Sequence, residues 1–208
     1  MKAGSGQVLR RVVLATHNKE KVGELRALLG KDTIEVATLD EFPNVGEIVE
    51  DGATLEENAL KKAGTVFRAT GLPALADDSG LEVYYLNMDP GVFSSRYSGP
   101  AATYGSNCRK LLEALRGVPP RRRAARFRCV LALVTKGIEE IVEGTCEGTI
   151  LEEPRGTNGF GYDPVFQPKG YEKTFAEIEP DLKNSLSHRS QALIKMQPIL
   201  TSLSERSG

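Results

Sequence analysis

Cysteine is scarce in this chain. There are three among 208 residues, Cys108, Cys129 and Cys146, an odd number set far apart. None has zinc-ligand spacing, so the reading is of reduced thiols in a cytoplasmic protein. No apolar run approaches membrane-spanning length, and the N-terminus lacks the apolar core of a signal peptide. An excess of charge of either sign is also missing: 27 Lys and Arg against 28 Asp and Glu leave a net charge of −1. No global field therefore recruits nucleic acid or a membrane surface. There is neither an internal repeat nor a low-complexity linker. What remains is ordinary globular composition, 40% hydrophobic and 26% charged. The length is ample to bury a core in one large domain or two small lobes.

Strand and helix patterns interleave along the chain. Arg10 to Ala15 predicts a buried strand, and Val22, Leu25, Leu28 and Leu29 recur at helical spacing over Lys19 to Leu29. Asn18 stands at the N-cap position and Gly30 at the far end. Thr54-Leu55-Glu56-Glu57 has the pattern of a capping box and opens a helix to about Phe67. Pro73 to Ala76 predicts a short strand, Ser79-Gly80 a turn, and Leu81 to Leu86 a second strand. Tyr104 to Leu115 is expected to be helical. Ala125 to Thr135 and Ile138 to Thr149 make a hairpin around Lys136-Gly137. His188 to Leu203 is the closing helix, kinked or interrupted near Pro198. Met1 to Gln7 and Glu205 to Gly208 are expected to fray. This order predicts a mixed α/β sheet in two lobes.

Several segments carry chemistry. Gly156-Thr157-Asn158-Gly159-Phe160-Gly161-Tyr162-Asp163-Pro164 combines glycines, two aromatic rings and a carboxylate, suiting close backbone approach and stacking. Leu186-Ser187-His188-Arg189, five residues after Lys183, adds a cationic group of donors; together they read as a nucleotide site. Taken singly, each is equally well a tight turn or a helix start. Thr16-His17-Asn18-Lys19-Glu20-Lys21 lies at a strand-to-helix junction, where free N–H groups and the helix dipole favour an anion. A well-capped surface helix explains it equally well, and the spacing is not that of a Walker loop. Asp77-Asp78 places two acids at the end of an apolar strand, pointing to opposite faces. Such an edge is where α/β proteins place metal-binding or catalytic carboxylates, and Glu47, Glu50 and Asp51 could supply a second ligand. The alternative is a solvated turn, with an equally solvated acidic loop. Arg121, Arg122, Arg123, Arg126 and Arg128 form a basic run with only Phe127 interleaved, which argues an exposed loop rather than an RNA-binding face. His188 sits too close to Arg189 and Lys183 to suggest a Ser-His-Asp triad.

From about Arg11 to Met196 the chain resembles the inosine triphosphate pyrophosphatases, which act on non-standard purine nucleotides. The resemblance rests on collinear motifs. They are Leu14-Ala15-Thr16-His17-Asn18 with Lys21, Glu50-Asp51-Gly52 with Glu57-Asn58-Ala59, Ala76 to Leu81, Pro90 to Gly99, Gly159 to Pro164, and Ser187-His188-Arg189. It implies an elongated α/β fold with a mixed sheet, flanking helices, two lobes and an active-site cleft between them, as one domain over 9–204. The implied reaction is magnesium-dependent hydrolysis of ITP, dITP or XTP to the monophosphate and pyrophosphate. Position by position, Thr16, His17, Asn18, Lys19, Glu20 and Lys21 would hold the triphosphate, with Lys62 reaching phosphate. Asp78 would be the catalytic carboxylate and a magnesium-site residue, and Ser79 a substrate contact. Glu50 matches the other magnesium-site acid, with Glu47 open by loop register. Phe160, Gly161, Tyr162, Asp163, Lys183, His188 and Arg189 would bind the nucleoside. Leu55 and Asn158 depart from the usual aromatic and glycine, at positions away from the catalytic groups. A homodimer in the cytoplasm is implied, without nucleic-acid or membrane partners. The competing readings are a Maf-like pyrophosphatase for other modified nucleotides, a nucleotide-binding sensor without turnover, and an RNA-binding module.

Overall fold

In the computed structural model of the chain, residues 10–29, 34–46 and 48–205 are described, with side chains of 11–202 within those spans. Gly30, Glu47, Met1 to Gln7 and the last three residues of the chain lie outside them. Six strands form one mixed sheet in the order β2-β1-β3-β4-β5-β6. They are β1 (Arg10–Leu14), β2 (Ile34–Thr38), β3 (Ala74–Val83), β4 (Ala124–Thr135), β5 (Ile138–Ile150) and β6 (Phe166–Pro168). β1 runs parallel to both β2 and β3, whereas β3 to β6 pair antiparallel. Five helices flank the sheet: α1 (Lys19–Leu29), α2 (Leu55–Thr70), α3 (Tyr104–Ala114), α4 (Pro180–Leu186) and α5 (His188–Glu205).

Local chemistry explains most boundaries. Asn18 Oδ1 accepts from the Lys21 N–H at 2.9 Å, capping α1 as expected. Thr54 Oγ1 accepts from the Glu57 N–H to start α2, while the Glu57 carboxylate takes the Ala53 N–H, and Gly71 ends the helix in the left-handed region. The β4–β5 hairpin closes through Lys136-Gly137, with Thr135 paired to Ile138. Ser187 separates α4 from α5 and accepts the Ser190 N–H on its side chain. Pro198 lies inside α5, which continues through it.

Two expectations about this stretch are overturned. Asp77-Asp78-Ser79-Gly80 is not a turn between two short strands but the middle of a ten-residue β3. Its register with β4 is unbroken from Ala74↔Val134 to Val83↔Ala125. Tyr84–Leu86, expected as strand, is a 3₁₀ turn. The glycine serves packing rather than turning. A Cβ on Gly80 would stand 2.3 Å from the Gly91 carbonyl oxygen, where the 3₁₀ segment Gly91–Arg96 crosses the strand.

The continuity of β3 divides the interior. On one face of its first half, α2 packs Leu55, Ala59, Ala63 and Val66 over Val13, Ala74, Ala76 and Val130. On the opposite face, Leu25 of α1 and Ala192, Leu193 and Met196 of α5 cover Val12, Leu14, Leu75 and Leu131. The second half of the strand enters another core, in which Leu81, Val83, Phe127 and Ile150 meet Leu111 of α3, Phe166 and Phe175. Each such enclosed aliphatic or aromatic side chain contributes about 1.5–3 kcal/mol. The polar stretch Asp77–Gly80 is the passage between these cores, and the cleft opens there.

Candidate active site

A cleft open to solvent is lined by β3, α1, α3, α5 and the loop around Phe160. Adjacent strand residues face opposite ways, and the two acids have separate surroundings. Asp78 looks toward α2. Its Oδ1 accepts from Lys62 Nζ at 2.8 Å and its Oδ2 from Asn58 Nδ2 at 3.2 Å. Lys62 also donates to Glu50 Oε1 at 2.9 Å, so one ammonium spans both acids. Asn58 in turn accepts the Gly52 N–H, pinning the loop that carries Glu50. Burial raises the Asp78 carboxyl above the ordinary carboxylate range against the pull of Lys62 and Lys21, and Glu50 adds to the rise. Lys62 is enclosed, yet Asp78, Asp77 and Glu50 hold it firmly protonated.

Asp77 looks toward α1 and α5 and is fully enclosed. Its Oδ2 receives Lys21 Nζ at 3.1 Å, Arg189 Nε at 3.1 Å and the Ser79 hydroxyl at 3.0 Å. Burial opposes ionisation here too, but Lys21, Arg189 and Lys62 hold the carboxyl far below its usual range. Arg189 continues the chain of charges to Glu24 of α1 and donates to Ser79 Oγ at 3.3 Å. Lys183 of α4 bridges Glu24 at 2.8 Å and Asp163 at 2.6 Å. Asp163 also accepts the Phe160 N–H, fixing the loop. The Phe160 ring lies 4.8 Å from Lys183 Nζ and 5.7 Å from the Arg189 guanidinium carbon. His188 stacks on Phe127 at 4.8 Å and 11°, and its Nδ1 has no partner among the described residues. Burial, then Arg189 and Lys183, hold it neutral.

The fold thus brings Asn18, Lys21, Glu50, Asp78, Ser79, Phe160, Gly161, Tyr162, Asp163, Lys183, His188 and Arg189 to one cleft, with Lys62 behind the acids. Tyr162 is buried, with its hydroxyl donated to the Ser94 carbonyl, so much of it serves the second core. His17, Lys19 and Glu20 are exposed outside the cleft wall, and Thr16 accepts the Asn18 N–H. Glu47 lies outside the described residues. Sequence reasoning did not single out Glu24, Asn58, Tyr104 or Asn107 as site residues. Glu24 was findable as the acid one helical turn after Lys21; the others needed the tertiary contacts. Asn107 donates to the Ser94 and Ser95 carbonyls along one wall. The arginine run is largely spoken for: Arg126 pairs with Glu82, Arg128 with Glu56 and Glu143, and Arg123 is buried against the Leu151 carbonyl rather than exposed. All three cysteines are buried and unbridged.

For a metal ion, Asp78 and Glu50 offer oxygen donors only, the preference of a hard divalent cation such as magnesium. Their sharing of a single ammonium shows that both reach one cationic centre. Among the described residues, no group of three or more His, Cys, Asp or Glu forms an all-protein cage. The residues therefore fit a magnesium ion that takes its remaining ligands from substrate and water.

The Ham1 family model matches residues 12–199. The chain belongs to the Ham1 family. Among its relatives within the curated proteins, a dITP/XTP pyrophosphatase of Syntrophobacter fumaroxidans is 53% identical over 89% of this chain and 80% of its own. One from Desulfotalea psychrophila is 49% identical, covering 89% and 83%. Among solved structures, a HAM1 protein from Coxiella burnetii superposes with a TM-score of 0.85 at 45% identity, over 93% of this chain and 100% of that one. A nucleoside-triphosphatase / dITP/XTP pyrophosphatase from Mycobacterium abscessus gives 0.74 at 43% identity, over 90% and 99%. The mixed sheet with flanking helices is therefore the Ham1 fold.

Proposed function

We propose that this chain hydrolyses non-standard purine nucleoside triphosphates, ITP, dITP and XTP, to the monophosphate and pyrophosphate with magnesium. The observation that carries the reading is the pair Asp78 and Glu50 drawn to one ammonium at the edge of a cleft whose other wall holds Lys21, Lys183 and Arg189. Membership of a family whose relatives bear the dITP/XTP pyrophosphatase name supports it. Those relatives give the Maf-like alternative no support. Residues 9–204 act as one two-lobed domain, in a cytoplasmic homodimer, without nucleic-acid or membrane partners; no helix among the described residues is long and apolar enough to cross a membrane.

In this reading the triphosphate lies along Asn18 and Lys21, with Thr16, His17 and the first turn of α1 (Lys19 and Glu20) supplying N–H groups and the dipole. A magnesium ion held by Asp78 and Glu50 would neutralise phosphate charge and polarise the α-phosphorus. Asp78 orients the attacking water and accepts its proton, which its raised pKa favours. Lys62 holds both acids in place, and Ser79 meets the substrate beside them. The purine stacks on Phe160, held by the loop through Gly161, Tyr162 and Asp163. Lys183, His188 and Arg189 present donors toward a 6-carbonyl, which hypoxanthine and xanthine carry and adenine lacks. The test is a panel of ITP, dITP, XTP, GTP and ATP assayed for pyrophosphate release in labelled water. ITP should give pyrophosphate and IMP, with the labelled oxygen in IMP; IDP and inorganic phosphate as first products would overturn the reading.

A further inference from the structure

We propose that Tyr104 is the second aromatic wall of the nucleoside pocket, facing Phe160 across the cleft, and that with Asn18 it bars the pocket until a nucleotide enters. The proposal deepens the nucleotide reading above and rests on it. Tyr104 is the first residue of α3, which starts from a reciprocal cap between Thr103 and Ser106. That helix is anchored in the second core by Leu111 and Cys108, so its first turn is a fixed platform. Tyr104 is nevertheless 43% exposed, and it lines the same cleft as Asp78, Phe160 and Lys183. Packing alone does not explain a large aromatic left in that position.

Two contacts indicate what it does. Its ring centroid lies 5.9 Å from that of Phe160, with the planes tilted by 45°. Its hydroxyl accepts a hydrogen bond from Asn18 Nδ2 at 3.3 Å, joining α3 to the loop before α1 across the cleft mouth. A planar base seated between two rings needs them about 7 Å apart and nearly parallel, as follows from stacking distances. The rings are slightly too close and too tilted for that, so the side chain must swing outward to admit a base. The swing lengthens the weak bond to Asn18 and frees its amide donor at the place where the polyphosphate is proposed to lie. Phe160 carries the cations Lys183 and Arg189 beside it, whereas among the described residues no cation lies over the Tyr104 ring; it offers a face rather than a reading of the base edge. Tyr104 therefore strengthens the binding of any purine nucleotide without choosing between them.

The absence of tryptophan makes a direct test available, since Tyr104→Trp would carry the chain's sole indole. A purine stacked on that indole quenches its emission. Titration with ITP in the absence of divalent cation should quench saturably, at concentrations where calorimetry on the same sample shows ITP bound. Inorganic tripolyphosphate, which has no base, should bind without quenching. In steady-state assays with magnesium, Tyr104→Ala should raise KM for ITP and GTP alike by about 5- to 20-fold, as expected from loss of one stacking face. Its kcat should stay within about twofold, and Tyr104→Phe should recover most of the lost affinity. Unquenched emission with ITP bound, equal quenching by tripolyphosphate, or an unchanged KM in Tyr104→Ala would overturn the proposal while leaving the pyrophosphatase reading intact. If the unaltered protein neither binds nor hydrolyses ITP, the pyrophosphatase reading itself fails and this proposal with it.

Discussion

Asp77 has no exposed surface and takes three donors on one oxygen, whereas its neighbour Asp78 keeps a small opening to the cleft and a raised pKa. The first environment suits a charge that never changes, the second a carboxyl that exchanges a proton. Asp78→Asn should therefore lower kcat for ITP by about 10²–10⁴. Asp77→Asn leaves Lys21 and Arg189 short of a buried partner, at a cost of about 3–5 kcal/mol. That corresponds to a melting temperature lower by roughly 6–20 °C for a chain of this size. Steady-state kinetics and calorimetry on both variants check the assignment, and equal kcat losses with equal melting shifts would contradict it. His188 offers a pH prediction. Buried beside Arg189 and Lys183, it has a folded-state pKa well below the model-peptide value of 6.5, so the unfolded chain binds a proton that the folded chain refuses. Its contribution is complete above about pH 6.5 and is lost as pH falls, at up to about 1.4 kcal/mol per pH unit. Asp78 and Asp163, raised from 3.8 chiefly by burial, act in the opposite sense. Denaturant unfolding at pH 7.5, 6.5 and 5.5 should show the decline, and His188→Phe, which keeps a ring against Phe127, should flatten it.

Among the elements, α5 does most to position the site, because its first turn carries His188 and Arg189 while its later turns pack on the sheet. It lies directly on β5 at Gly144, where a Cβ would come within 2.1 Å of the His188 carbonyl oxygen and 2.3 Å of the Ala192 nitrogen. Gly144→Ala must push the helix away. We expect a stability loss of about 1–3 kcal/mol and a KM for ITP that rises more than kcat falls, measured by thermal melts and kinetics. The elements expected from periodicity and caps, α1, α2, α3 and the β4–β5 hairpin, form within a few residues of their expected bounds. Those not foreseen, β2, β6 and α4, are short and lack a long repeat. Their stability comes from neighbours, as when β6 pairs with β5 through only three residues. The misplaced turn at Ser79-Gly80 has the same origin. Serine and glycine have turn chemistry, but Ser79 spends its hydroxyl on Asp77 and Gly80 is required by the crossing Gly91 backbone.

Across the whole molecule, ion pairs tie α1, β3, α4, α5 and the Phe160 loop into one network through Glu24, Asp77, Asp163, Lys183 and Arg189. A nucleotide bound with magnesium should add to it. At 100 times its dissociation constant a ligand stabilises by about 2.7 kcal/mol, a rise of roughly 5–10 °C in melting temperature. Scanning calorimetry with magnesium and IMP plus pyrophosphate should show that rise, and Glu50→Gln should require more magnesium to reach it. A rise that does not depend on magnesium would contradict the role given to Glu50 and Asp78. Helix spacing, caps and the collinear motifs are local or ordered along the chain, so residue order alone sufficed for the family, the fold class and a roster of candidate side chains. Alternation along β3 also told that Asp77 and Asp78 face apart. It could not tell which of them meets Lys62 and which meets Arg189, nor that Tyr104 stands opposite Phe160. Those depend on contacts between residues 16 to 112 positions apart. Burial and neighbouring charge, which set each group's chemistry, exist only once the two cores have closed around the cleft.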